Sequence, residues 1–76
     1  MSPKLPVINS SQLLRALKKA GFIIDRQEGS HVSLIHPEHL KLTVTVPHHH
    51  KDLKKGTLKS ILRQAGMDAA DLIELL

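Results

Sequence analysis

The sequence predicts a small two-layer α+β domain whose elements follow in the order α-β-β-β-α-α, with a three-stranded antiparallel sheet packed on helices. Three observations predict it. Leu13, Leu14, Leu17 and Ala20 recur at helical spacing. Leu42, Val44 and Val46 then alternate with Lys41, Thr43 and Thr45, the pattern of a strand with one buried face. Leu58, Ile61, Leu62 and Ala65 return to the spacing of an amphipathic helix. With 76 residues and 41% apolar content, the chain is expected to form one domain, residues 1–76, around one core.

The first helix is expected over residues 10–20. Asn9 or Ser10 can accept the unpaired N–H groups of its first turn, and Gly21 can adopt the left-handed conformation that ends it. Arg15, Lys18 and Lys19 lie off its apolar stripe. Phe22, Ile23 and Ile24 open a β-prone segment that turns polar at residues 25–28, and Gly29-Ser30 supplies turn chemistry for a hairpin. In the next strand Val32 and Leu34 share one face, His31 and Ser33 the other. The run His36-Pro37-Glu38-His39 breaks that strand, and both histidines are expected to be turn and surface residues. Pro47 stops the third strand, and a basic loop is expected over residues 48–56. The helix that follows ends at Gly66. Asp68 can cap a last short helix, with Asp71 near its positive end and Leu72, Ile73 and Leu76 facing inward.

Eleven Lys and Arg against seven Asp and Glu give a net charge of +4, which points to polyanionic partners. Tyr and Trp are absent and Phe22 is the one aromatic residue, so the stacking platforms that grip single strands cannot be built. A nucleic acid would be held through its backbone. The absence of cysteine excludes a disulfide frame and a thiolate zinc site. No apolar run reaches membrane-spanning length, and the opening Met1-Ser2-Pro3-Lys4 lacks the apolar stretch of a signal peptide. A cytoplasmic protein with no membrane partner is expected.

Three segments carry a resemblance: "LLRALKKAGF" (13–22), "GSHVSLIHP" (29–37) and "VPHHHKDLKKGTLKSILRQAGM" (46–67). In this order and spacing they resemble the HicA (YcfA-like) family of toxin–antitoxin systems, small bacterial mRNA interferases. The resemblance implies a double-stranded-RNA-binding-like fold, endoribonuclease activity on mRNA that inhibits translation and growth, and neutralisation by a HicB-like antitoxin; the cleavage chemistry itself calls for no metal or other cofactor. It also places the catalytic residue at His31, within Gly29-Ser30-His31. His48 aligns with the single histidine that commonly follows Val-Pro in the family, which leaves His49 and His50 without an assigned role.

The chemistry suits such residues. RNA carries its own nucleophile, so cleavage needs a proton taken from a 2′-OH, charge stabilised at phosphorus and a proton given to the leaving 5′ oxygen. An imidazole, with an unperturbed pKa of about 6.5, serves such transfers, which typically contribute about 10²–10⁴-fold. Taken alone, His31 reads first as a hairpin residue, and the matched Gly-Ser-His element is what turns the reading to catalysis; Gly29-Ser30 reads as a plain turn or as a backbone that lets a phosphate approach. The triplet at 48–50 is not expected to bind metal, because adjacent residues on an extended chain point in alternate directions. Lys51, Lys54, Lys55 and Lys59 lie at or near the start of a helix, where the dipole also favours phosphate. Lys18 and Lys19 read as a wet helix face that the resemblance would present to RNA. Two other classes remain open on the residues: a non-catalytic RNA-binding module, and an interaction protein whose charge serves a protein partner.

Overall fold

The capping residues set where the first helix begins. In the computed structural model, which describes residues 4–76, helix α1 (Ser10–Lys19) starts from Asn9, whose side chain accepts the Gln12 N–H at 2.9 Å. The Gln12 side chain accepts the Asn9 N–H in return, at 2.9 Å, so a capping box satisfies two donors. The far end closes on Gly21, at φ +104°, with the Phe22 N–H on the Leu17 carbonyl and the Gly21 N–H on that of Lys18. The helix buries Leu13, Ala16 and Leu17.

Strands β1 (Ile23–Glu28), β2 (His31–His36) and β3 (His39–Pro47) form one antiparallel sheet in that order. Val32 lies opposite Val46 and Leu34 opposite Val44, and all four side chains are buried. Alternation in β2 and β3 thus sends one face into the core, as expected. Strand β1 runs through the polar residues 25–28 to the Gly29-Ser30 turn, as the expected hairpin requires, but it shifts register between Ile24 and Arg26 and is exposed along its whole length. As an edge strand beyond the helical layer it has no buried face, so polar side chains carry no desolvation cost there.

Helix α2 (Lys55–Ala65) buries Leu58, Ile61, Leu62 and Ala65. It begins before Gly56, which therefore belongs to the first turn and not to the preceding loop. Its end repeats the chemistry of α1: Gly66 adopts φ +69°, and the Met67 N–H reaches the Leu62 carbonyl at 2.9 Å. Helix α3 (Ala69–Leu75) is capped by Asp68, which accepts the Asp71 N–H while Asp71 accepts that of Asp68. Leu72 is fully buried, but Ile73 and Leu76 are 42% and 50% exposed, contrary to the inward reading of all three. On so short a helix the buried stripe is narrow: Ile73 lies about 100° round from Leu72, and Leu76 follows the last helical residue. Leu75 packs on the core in part.

His36 is also corrected from a surface residue to a packing one. Its ring meets Phe22 edge-on at 5.1 Å, Nδ1 accepts the Glu38 N–H at 3.2 Å, and Nε2 lies 3.2 Å from the Ala20 carbonyl. With Nδ1 accepting, the proton sits on Nε2 and is donated to Ala20. His36 joins the end of α1 to the β2–β3 turn. His39 is exposed, with its ring 5.0 Å from that of His36. Among the described residues no helix is long and apolar enough to cross a membrane.

Candidate active site and nucleic-acid interface

The β1–β2 hairpin positions the first group. Gly29, at φ +57°, and Ser30 form its turn, and His31 opens β2 opposite Glu28 on one side and Pro47 on the other. His31, Ser33, Glu28 and Arg26 lie on the face of the sheet turned away from the core, because their partners alternate with the buried Val32 and Leu34. The His31 side chain is exposed, and no side-chain hydrogen bond among the described residues engages its ring. Arg26 and Glu28 pair at 3.3 Å in an exposed contact that adds little to stability.

The β2–β3 ladder carries the histidine loop to the same end of the sheet. The His48 N–H donates to the Ser30 carbonyl, one step past the His31–Pro47 pair. Here the structure gives another role to Ser10, whose place in the sequence suggests only a helix cap. Ser10, wholly buried, donates its hydroxyl to the Pro47 carbonyl at 2.6 Å and accepts the His49 N–H at 3.3 Å. Farther along, the Leu53 N–H reaches the Ile8 carbonyl at 2.9 Å, and Asn9 forms a bridge with Asp52. Residues 8–10 thus clamp the basic loop at several points. His48, His49 and His50 line a cleft of about 430 Å³ with Asn9 and Ser11.

The lysines divide among separate places. Lys51 and Lys54 line a second cleft, of about 530 Å³, together with His49 and His50. Lys55 and Lys59 line a different groove, along the other side of α2. Lys18 shares a shallow depression with Ser11 and Arg15 on α1. The Lys19 ammonium lies 3.2 Å from the Leu75 carbonyl, at the C-terminal end of α3. It thereby complements the negative end of that helix. Gly29, Ser30, His31, His48, Lys51 and Lys54 are therefore drawn toward one end of the sheet, whereas Lys19, Lys55 and Lys59 are not part of that group.

The electrostatics favour an anion. Helix α2 has no side-chain cap at Lys54 and no acidic residue in its first turn, so unpaired N–H groups and lysines of the same sign meet there. Among the described residues no group of three or more His, Cys, Asp or Glu could hold a metal ion.

Fold and site together define a small cationic α+β domain with an uncovered histidine at a hairpin and lysine-lined clefts beside it. Residues 10–67 match the family model described as the HicA toxin of bacterial toxin–antitoxin systems, and the chain belongs to that family. It is a member of a toxin family, and that membership implies an antitoxin partner. No curated protein matches the chain.

Proposed function

We propose that the protein is a metal-independent endoribonuclease that cleaves mRNA in the cytoplasm and so inhibits translation and growth, and that a HicB-like antitoxin neutralises it. The observation that carries this reading is the exposed His31, beside a glycine turn and bonded through Ser30 to a loop whose histidines and lysines line two clefts. Lys51, Lys54 and His48 hold the RNA backbone, with Gly29 and Ser30 letting a phosphate approach the chain. His31 serves a proton transfer, either from the 2′-OH or to the leaving 5′ oxygen. The 2′ oxygen then bonds to phosphorus as the P–O5′ bond breaks, leaving a 2′,3′-cyclic phosphate and a 5′-OH. Lys18, Lys55 and Lys59 lie outside this centre and add to the long-range positive field that draws RNA toward it.

Induced expression tests the reading in cells. Wild-type protein should arrest growth, and His31→Ala should relieve the arrest while keeping the wild-type melting temperature. A folded His31→Ala variant that remains equally toxic would remove His31 from the mechanism. A variant that still binds RNA, with neither form able to cut it, would favour a non-catalytic RNA-binding module.

A further inference from the structure

A groove of about 620 Å³ runs between the N-terminal segment, α2 and the α2–α3 turn, and it shares no lining residue with the histidine loop. Lys55, Lys59 and Arg63 recur every fourth residue and so form one stripe along α2. Lys4 adds a fourth cation to the lining. The floor is apolar, formed by Leu5, Leu62 and Met67, of which Leu5 and Met67 are only partly buried. Among the described residues the one ion pair is Arg26–Glu28, so the four cations have no carboxylate partner. Asp68, the single acidic residue in the lining, is engaged in capping α3.

Unpaired like charges around a wet apolar floor define what would relieve them: a ligand with both negative charge and aliphatic surface. RNA supplies the charge but leaves the floor unmatched. No aromatic residue lines the groove for bases to stack on, because Phe22 lies in the core. We propose that this groove seats an acidic amphipathic segment of a partner protein, with aliphatic side chains on Leu5, Leu62 and Met67 and carboxylates against Lys4, Lys55, Lys59 and Arg63. The inference rests on the toxin–antitoxin reading, in which the partner is the antitoxin. It gives that partner an anchorage separate from His31, so holding the toxin and covering its histidine are tasks for different parts of the antitoxin.

The probe is a fluorescent synthetic peptide with leucine and glutamate on opposite faces of a helix, compared with polyglutamate of equal charge. Amide shifts of the isotope-labelled protein should centre on Leu5, Lys59, Leu62 and Met67. Lys4→Glu combined with Arg63→Glu, both at exposed positions, should weaken peptide binding by about tenfold or more, and His31→Ala should leave it unchanged. Polyglutamate binding as tightly as the peptide would overturn the proposal, because charge alone would then explain it. So would shifts centred on residues 48–51, or single-stranded RNA producing the groove shifts more strongly than the peptide. The assay reads no cleavage, so failure of the docking proposal and failure of the ribonuclease reading are separately visible.

Discussion

Replacing Ser10 by alanine tests how the histidine loop is held. The hydroxyl is fully buried and bonds to both Pro47 and His49, so the substitution strands a carbonyl and an N–H at once. Losing the partner of a buried polar group costs about 1–3 kcal/mol. Both contacts are only partly buried, so water reaches the vacated groups and the lower part of the range applies, about 1–2 kcal/mol. For a domain of this size each kcal/mol moves the melting temperature by about 4–8 °C, giving a fall of roughly 4–16 °C. Circular dichroism melts measure the fall, and amide exchange locates it. Exchange should quicken at His48 and His49 before the core strands. Asn9→Ala is the comparison: it removes the α1 cap, costs about 1 kcal/mol, and leaves the Ser10 bonds in place. If Ser10→Ala melts within 2 °C or so of wild type and leaves loop exchange unchanged, the clamp is not what holds the loop.

Glycine substitutions separate two positions. Gly21→Ala should destabilise by about 1–3 kcal/mol, because φ is +104° and an added Cβ would lie 2.7 Å from His36 Nε2. Gly56→Ala, in open space at the start of α2, should stabilise by about 0.4–1 kcal/mol; denaturant unfolding measures both. Leu72→Ala should cost about 2–5 kcal/mol and Ile73→Ala less than about 1 kcal/mol, which the same unfolding curves would show as unequal midpoints. Lys51→Ala and Lys54→Ala should each reduce the slope of log affinity against log salt for single-stranded RNA by about 0.7, as measured by anisotropy titrations.

Much of this architecture is legible because its physics is local. Leu42, Val44 and Val46 alternate, Leu58, Ile61 and Leu62 follow helical spacing, and Gly21 and Gly66 end helices; each signal lies within a few residues and survives in the structure. What was not legible depends on contacts between distant segments. Nothing near Ser10 announces a partner 37 positions away at Pro47, and a serine before a helix reads as a cap. His36 looks like part of a turn until Phe22 and Ala20 are brought against it. The polar half of β1 shows no facial pattern in the sequence because an exposed edge strand lacks the alternation that burial imposes. In the candidate site, Gly29-Ser30-His31 was visible as a hairpin element and through family likeness. The division of the lysines was not, because Lys54 and Lys55 are neighbours in sequence yet line different clefts.

The most direct test of the central claim is to incubate purified wild type and His31→Ala with a defined RNA in EDTA and determine the product ends as well as the lengths. Cleavage by wild type alone, leaving 2′,3′-cyclic or 2′/3′-phosphate ends, is the predicted result and assigns acid–base chemistry to His31. Equal cleavage by a folded His31→Ala protein, or wild-type cleavage abolished by EDTA, would contradict the account.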